Sequence, residues 1–508
     1  MKGNAGFKAA GYSFLIRNLG LEVVTHYRDS LIASKGQRKT RVTDGHEEHI
    51  YPTQYDPGLD PMNNLIFAIK YDGINLNILK AAFKTLGPDV VTRYIKGHPV
   101  GRYARMIWYL YEFLTEERLS IPDASVGNYV ILLDGDRYYT GLPVNSRRHR
   151  VTDNLLGGPD FCPVVRKTEV LARSTSRDLK SLAAGIVSKY PENVIRRATQ
   201  YLYTKETRTS FEIERENPDL KRMTRFIEYL RRARLYDRID KALLLDVQNS
   251  VVDERFAATD YRSTQNYVGR GLGMRTSVDY VSPIPSDIPA LMEGLLASNK
   301  KMHGVDSVVH AAVIAFGFVY LHPFDDGNGR VHRYLIHHIL ASEGVTPEGL
   351  IFPVSATMLS DMPSYDRCME TFSRLILPLI DFRLNEDGEV EVLNNTGDLY
   401  RYMDMTAAAE YLYAVTEKTI QSEFVDEIDF LSSCEVALKQ MSNEVDMSDR
   451  LIRTFIQCVI DNGGKLSKAK RKLFDMLTDQ EIATLEEIVR KNFLRQDESQ
   501  APSEISLG

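Results

Sequence analysis

The stretch HPFDDGNGRVHR, residues 322–333, decides both the fold and the chemistry expected of this chain. Apolar residues recur at helical spacing before it, over 305–319, and after it, over 335–339. We therefore predict a loop held between two buried helices, with the second helix beginning at the glycines. Phe324 is expected to pack into the core and anchor this loop.

The residue types of the loop suit the binding of a nucleotide polyphosphate. The backbone N–H groups of Gly327, Asn328 and Gly329 can form an anion-binding nest at a helix N-terminus. Arg330 and Arg333 are three residues apart, so they share a helical face and can donate charge-assisted hydrogen bonds to phosphate.

Two further side chains complete the expected chemistry. Asp326 offers the hard oxygen ligand that Mg²⁺ or Mn²⁺ prefers. His322 can accept a proton near neutral pH. Together with the arginines they predict phosphoryl or nucleotidyl transfer, in which a histidine activates a hydroxyl beside a metal-bound phosphate.

The stretch 322–333 matches the Fic motif, H-P-F-x-[D/E]-G-N-G-R-x-x-R, at every specified position, and the chain therefore resembles the Fic family. The resemblance implies a mainly α fold, with a Fic-type helical bundle core and a β-hairpin flap, flanked by additional helical regions. It implies a protein adenylyltransferase, which transfers AMP from ATP to a Ser, Thr or Tyr hydroxyl of a protein and releases pyrophosphate.

The resemblance also assigns roles by position in the motif. It implies that His322 is the catalytic base and that Asp326 holds the metal. Nucleotide-binding roles fall to these residues: Gly327, Asn328, Gly329 and Arg330 for the α- and β-phosphates, and Arg333 for the γ-phosphate. Gly329 favours AMP transfer, because the related Doc phosphotransferases have lysine there. Phe352–Ser355 and Tyr365 resemble the region that lines the adenine pocket, and Tyr365 is the candidate contact.

The segment from Met274 to Pro285 resembles the flap of this family. It is expected to bind the substrate protein as an extended segment by strand addition. The substrate can be another copy of the chain itself, and the sequence leaves a homo-oligomer open. The run Gly269–Gly273 is expected to form a turn before the flap, since its spacing does not match a dinucleotide fingerprint.

The segment from Ser210 to Glu214 matches five positions of the inhibitory motif [S/T]-x-x-x-E-[G/N], with Arg215 at the sixth. The resemblance implies the class with an N-terminal inhibitory helix, here near 204–216. Its Glu214 would pair with Arg333 and block the γ-phosphate, while Ser210 lies one turn away on the same face. The alternative is an ordinary charged helix, since three other glutamates lie close by.

Composition indicates an ordinary globular protein. The 508 residues are 43% hydrophobic and 26% charged with a net charge of −6, so no global field attracts nucleic acid. The four cysteines form no C-x-x-C pair, which favours reduced thiols and a cytoplasmic location. No apolar run approaches the roughly 20 residues of a spanning helix, so no membrane partner is expected.

We predict five regions along the chain. They are a polar N-terminal segment (1–50), a mainly helical N-terminal domain (51–178), the Fic region (179–385) with its core at 287–381, a helical C-terminal domain (386–495) and a tail (496–508). Within the first region, residues 35–49 are expected to form a loop or tail.

Three alternatives stay open. The same fold could perform other Fic chemistry, namely UMP or phosphocholine transfer, phosphotransfer, or de-AMPylation with Glu214 positioning water. The chain could instead be a regulator that binds DNA or a partner through helical flanks such as 449–493. Six histidines fall at positions 303, 310, 322, 332, 337 and 338 without a metal-binding spacing, and only His322 is given a role.

Overall fold

A computed structural model describes residues 7–43, 46–236, 238–272, 275–385 and 388–493. Within these ranges the chain is mainly helical with four small sheets, which confirms the predicted fold class. Among the described helices, none combines the length and the apolar character that a membrane crossing requires. The predicted tail, 496–508, lies outside the described residues.

The N-terminal region begins with a mixed four-stranded sheet. Its elements are β1 (Phe7–Ala10), α1 (Gly11–Leu19), β2 (Arg28–Ala33), β3 (Lys39–Thr43) and β4 (His46–Pro52). The strand order is β1-β2-β4-β3, with β2 and β4 parallel and the outer pairs antiparallel. The expectation of a loop or tail over 35–49 was therefore wrong. Ile50 and Tyr51, which are consecutive on β4, are both buried, so both faces of the sheet are covered at this end, whereas β3 is polar.

A helical layer and a small sheet follow. The elements are α2 (Pro61–Phe67), α3 (Leu76–Gly97), α4 (Arg102–Thr115), β5 (Val130–Ile131), β6 (Val144–Ser146) and β7 (Val151–Asp153). The helix α3 has a kink where Gly87 takes a φ of 75° before Pro88, at the break that the sequence predicted.

The Fic region is a helical bundle with one hairpin. Its elements are α5 (Glu169–Thr175), α6 (Leu179–Val187), α7 (Glu192–Ile213), α8 (Leu220–Arg232), α9 (Lys241–Val251), β8 (Tyr267–Leu272), β9 (Arg275–Val281), α10 (Ile288–Lys301), α11 (Ser307–Leu321), α12 (Asn328–Ser342), α13 (Val354–Ser360) and α14 (Met362–Ile376).

The helix α11 is the centre of this bundle. All its residues from Val308 to Leu321 are buried, and it packs against its neighbours in the chain, α10 and α12, and against a later helix, 406–418. A helix that is apolar on every side needs neighbours all round, so it takes the middle position. The Asp306 side chain caps its first turn by accepting from Val308 N at 3.0 Å and Val309 N at 3.1 Å.

The hairpin begins earlier than the predicted flap, 274–285. Its strands β8 and β9 are antiparallel, with an irregularity between Val268 and Gly269. Gly269 and Gly271, expected in a turn, lie inside β8. A Cβ at Gly269 would lie 2.4 Å from the Ser277 carbonyl oxygen, so close strand approach is what requires this glycine. Gly273 and Met274 lie outside the described residues.

The C-terminal elements are β10 (Phe382–Leu384), β11 (Val390–Val392), α15 (Gly397–Arg401), α16 (Thr406–Lys418), α17 (Phe424–Glu444), α18 (Asp449–Ile460) and α19 (Asp479–Phe493). The main hydrophobic core extends from Tyr139 to Ile428, so residues 388–428 pack with the Fic region. A separate small core, from Cys434 to Val489, joins the end of α17 to α18 and α19. The predicted domain boundary at 386 stays a prediction.

Candidate functional site

The residues 322–327 form a tight loop between α11 and α12. His322 ends α11 in the left-handed conformation, with φ 50°, and Gly327 caps α12 with φ 88°. Asn328 closes the loop, because its Oδ1 accepts from Phe324 N at 3.1 Å and its Nδ2 donates to Phe324 O at 2.7 Å. Phe324 is buried, as predicted. The side chain of Asn328 thus shapes the loop, and its backbone belongs to the first turn of α12.

The His322 ring is held in one tautomer. Its Nδ1 lies 3.2 Å from the Val319 carbonyl oxygen, which can only accept, so Nδ1 carries the proton and Nε2 keeps its lone pair. Burial, reinforced by the positive charge of Arg262, lowers the pKa of His322 to about 4. The ring is therefore neutral at physiological pH, and Nε2 is able to accept a proton.

Two buried side chains outside the motif fix this loop, and neither was predicted. Arg262 donates from Nε to His322 O at 2.8 Å, and to the carbonyl oxygens of Thr264 and Pro283, both at 2.6 Å. Gln248 donates to Asp326 O at 3.1 Å. Because Pro283 follows β9, Arg262 ties the His322 loop directly to the base of the hairpin.

Asp326 and Arg330 form an ion pair at the start of α12. The Asp326 Oδ1 accepts from Gly327 N at 2.6 Å and from Arg330 Nη2 at 2.8 Å, and this side chain is 41% exposed. Arg330 is almost fully buried, and its Nη1 also donates to Val251 O at 2.9 Å. Burial lowers the pKa of Arg330, although its carboxylate neighbours oppose this shift.

Arg333 is fully buried one turn further along α12. Its Nε donates to Ser210 Oγ at 2.8 Å, and its Nη2 donates to Ser210 O at 2.6 Å and to Glu214 Oε1 at 2.7 Å. Two buried donors, Arg330 Nε and Arg333 Nη1, have no partner within the described part of the chain. An anion beside α12 would satisfy donors of this kind.

Glu214 lies directly after α7, which is longer than the predicted segment 204–216 and ends at Ile213. Its carboxylate reaches the first turn of α12, since a Cβ at Gly329 would lie only 2.0 Å from Glu214 Oε1. Burial would raise the pKa of Glu214, but the charge and hydrogen bond of Arg333 outweigh it and lower the pKa. A charged carboxylate therefore lies at the helix N-terminus where a phosphate is expected.

A second glutamate, Glu216, forms an ion pair with Arg330. Glu216 Oε1 lies 2.7 Å from Arg330 Nη1, and its Oε2 accepts from Arg222. The chain reaches this position because Arg215 takes a φ of 57°. Glycine and asparagine adopt this left-handed conformation most readily, which explains why the inhibitory motif has Gly or Asn at the position of Arg215.

The helix α7 is anchored firmly in the bundle. Glu206 is fully buried, with Oε1 at 2.8 Å from His337 Nε2 and Oε2 accepting from Ser355 N at 2.9 Å. Lys205 forms ion pairs with two glutamates of the α16–α17 region, at positions 423 and 427. These contacts fix the rotation of α7 and therefore the direction in which Ser210 and Glu214 point.

A cleft of about 420 Å³ opens beside His322. Its walls are the hairpin, the end of α11 and α14, with lining residues that include Val268, Tyr280, Met369 and Ser373. Tyr365 is buried on α14, with its ring centroid 6.5 Å from that of His332, and is not among the residues that line this cleft. Its role as an adenine contact stays a prediction.

Comparison with known proteins agrees with the motif. Residues 238–340 match the sequence model described as the Fic/DOC family. The chain is 35% identical over 91 residues to a protein adenylyltransferase Fic of Nematostella vectensis, and 36% identical over 93 residues to one of Culex quinquefasciatus. Each alignment covers 17% of this chain and only 19% or 16% of the relative, so the similarity is confined to a small part of both proteins.

One similar solved structure is that of a Fic-domain-containing signaling protein of Bacteroides thetaiotaomicron. It is 17% identical, with a TM-score of 0.38, and the alignment covers 50% of this chain and 97% of that chain.

Proposed function

Because residues 238–340 form a domain of the Fic/DOC family, we propose that this protein is an enzyme that transfers AMP from ATP to a hydroxyl group of a protein. The observation that carries the proposal is the pairing of a neutral His322, with its Nε2 free, and an anion site at the start of α12. The relatives' name, protein adenylyltransferase Fic, supports AMP as the transferred group.

In the proposed reaction, the hydroxyl oxygen of the target attacks the α-phosphorus of ATP. The bond between the α-phosphorus and the bridging oxygen breaks, pyrophosphate leaves, and the hydroxyl proton passes to His322 Nε2. The Val319 carbonyl, which accepts from Nδ1, keeps the ring in the tautomer that this step needs. The hydrogen bond from Arg262 to the His322 carbonyl oxygen fixes the backbone there and so limits the movement of the His322 ring.

The phosphates would lie along the first turn of α12. The buried guanidinium groups of Arg330 and Arg333 have unused donors there, and Gly329 has no side chain to obstruct the approach. A divalent cation, Mg²⁺ or Mn²⁺, would be held by the partly exposed Asp326 and would neutralise charge on the phosphates.

The flap is the proposed docking place for the target. Within the described residues its sheet consists of β8 and β9, so each strand has one edge to which a further strand could add. An extended segment of the target protein would add to this hairpin and bring its hydroxyl towards His322. The target can be a second copy of the chain.

The same geometry supports autoinhibition. Glu214 forms an ion pair with Arg333, and Glu216 forms one with Arg330. Both arginines proposed to bind phosphate are therefore already paired with carboxylates. Bound ATP would have to displace Glu214, since one site cannot hold two anions side by side without a cation between them. We therefore propose that this chain is held in a weakly active state until Glu214 moves.

Labelled nucleotides test the transferred group. The Glu214→Gly protein is incubated with Mg²⁺ and ATP labelled at either the α- or the γ-phosphate, with the protein itself and a protein extract as acceptors. AMP transfer predicts protein-bound label from α-labelled ATP only. Label from the γ-position would indicate phosphotransfer, and stronger labelling from α-labelled UTP would indicate UMP transfer; either result would contradict the proposal.

A further inference from the structure

Three metal-ligating side chains meet at the end of the bundle far from His322. His303 lies in the connection from α10 to α11, His310 lies in the first turn of α11, and Glu343 follows α12 directly. The Glu343 Oε1 is 3.5 Å from His303 Nδ1 and 3.2 Å from His310 Nδ1. One ligand atom from each of the three residues lies within 4.8 Å of the other two.

The contacts of His310 show which of its ring nitrogens faces Glu343. Its Nε2 lies 2.9 Å from the Oδ1 of Asn299, in a buried position. An amide oxygen only accepts, so Nε2 donates to Asn299, and Nδ1 is the ring nitrogen that faces Glu343. A histidine whose second nitrogen donates to an oxygen is the usual arrangement around a bound metal.

A further histidine lines the cavity beside these three residues. His338 lines a cavity of about 230 Å³ together with His303 and His310. His338 is buried, and its Nδ1 has no hydrogen-bond partner among the described residues. A buried lone pair without a donor is rare in folded proteins, and a metal or a metal-bound water would satisfy it.

We propose that His303, His310 and Glu343 bind Zn²⁺, with a water molecule that can donate to His338 Nδ1 as the fourth ligand. In a tetrahedral site with Zn–N and Zn–O distances of about 2.0–2.1 Å, neighbouring ligand atoms are about 3.3 Å apart. The observed separations of 3.2 and 3.5 Å bracket this value. Imidazole and carboxylate ligands favour Zn²⁺, whereas Mg²⁺ prefers oxygen ligands alone.

This site is separate from the nucleotide site. Twelve residues of α11 separate His310 from His322, which is about 18 Å at the helical rise of 1.5 Å per residue. The zinc ion would connect the end of α10, the start of α11 and the end of α12. Its effect is therefore expected on the stability of the bundle, and the proposal does not depend on AMP transfer.

Metal binding to the untagged full-length protein tests the proposal. The protein is treated with chelator, dialysed, and titrated with Zn²⁺ and with Co²⁺, whose visible bands report tetrahedral nitrogen and oxygen ligation. We expect one equivalent of tightly bound zinc by elemental analysis and a higher melting temperature with zinc. His303→Ala and Glu343→Gln are expected to weaken binding at least about 10-fold, the lower end of the loss found even for groups that only support ligands.

The controls separate this site from others. His303 is 60% exposed, so His303→Ala should keep the fold, which circular dichroism verifies. His98→Ala replaces an exposed histidine at the end of α3 and should bind zinc like the parent protein. The proposal is overturned if no saturable zinc binds, if both ligand variants bind it unchanged, or if only Asp326→Asn abolishes binding, since the ion would then belong to the nucleotide site.

Discussion

Replacement of Glu214 by glycine is expected to raise the rate of AMP transfer. The Glu214 carboxylate makes one charge-assisted hydrogen bond to a fully buried Arg333, at 2.7 Å. Such bonds contribute about 1.5–3 kcal/mol. Because the Glu214 side chain is 33% exposed, solvent weakens the pair and the lower part of this range applies. A contribution of about 1.5–2 kcal/mol corresponds to a rate increase of about 10- to 30-fold.

The assay measures label transferred from α-labelled ATP at subsaturating nucleotide, and isothermal titration measures ATP affinity in parallel. Glu212→Gly is the matched control, because Glu212 lies in the same last turn of α7, is exposed, and undergoes the same chemical change. The reasoning is refuted if Glu214→Gly is no faster than the parent protein while its melting curve is intact. It is also refuted if Glu212→Gly gives an equal increase.

Four further outcomes are expected. His322→Asn, which keeps the left-handed backbone conformation, should lower transfer by about 10²–10⁴-fold in the Glu214→Gly background, and ATP binding measured by titration should persist; retained turnover would exclude His322 as the base. The acid limb of kcat/KM in that background should lie near pH 4, because burial lowers the pKa of His322 to about 4 and the base stays neutral above it; an inflection near pH 6.5, the ordinary histidine value, would contradict this. Arg262→Lys should lower the free energy of unfolding by about 2–4 kcal/mol in urea titrations, since several buried carbonyl oxygens lose donors. An unchanged urea midpoint would contradict the role of Arg262 in holding the loop. Glu216→Gln should raise transfer less than Glu214→Gly does, because Arg330 keeps its bonds to Asp326 and Val251; a larger rise would reverse the proposed order.

The motif made the central part of the structure predictable. A continuous apolar run on each side of 322–333 specifies two buried helices, and the glycines specify a helix start at residue 328. The resemblance predicted that Glu214 pairs with Arg333, and the structure brings the two together and adds a hydrogen bond from Arg333 to Ser210. The helices and the loop of 322–333 could be predicted because the physical reason for each residue there lies within a few turns of chain, whereas the Glu214 pairing came from the resemblance alone.

The features that sequence reasoning missed depend on distant contacts. Arg262 belongs to an irregular segment without periodicity, and only the folded chain brings the carbonyl oxygens of His322 and Pro283 to it. The first strand of the hairpin was missed because Gly269 and Gly271 are typical of turns, whereas here close strand approach requires a small residue. The N-terminal sheet was missed because β2, β3 and β4 are rich in charged and polar residues, which are typical of a loop.

The proposed zinc ligands were also not predictable from the sequence. Positions 303, 310 and 343 have no spacing that is typical of a metal site, since the ligands come from the ends of three different helical segments. The packing of α10, α11 and α12 brings them together. A sequence motif cannot show a site of this kind, because the spacing is set by helix lengths that differ between proteins.

Mass spectrometry of three purified proteins tests the central claim most directly. The parent protein, Glu214→Gly and Glu214→Gly/His322→Asn are each incubated with ATP and Mg²⁺, and the modified residues are mapped by peptide fragmentation. We predict an adenylyl adduct on a hydroxyl side chain that is abundant with Glu214→Gly, scarce with the parent protein and absent from the double variant. An equal adduct on all three proteins, or none with Glu214→Gly even when other proteins are supplied as acceptors, would contradict the account.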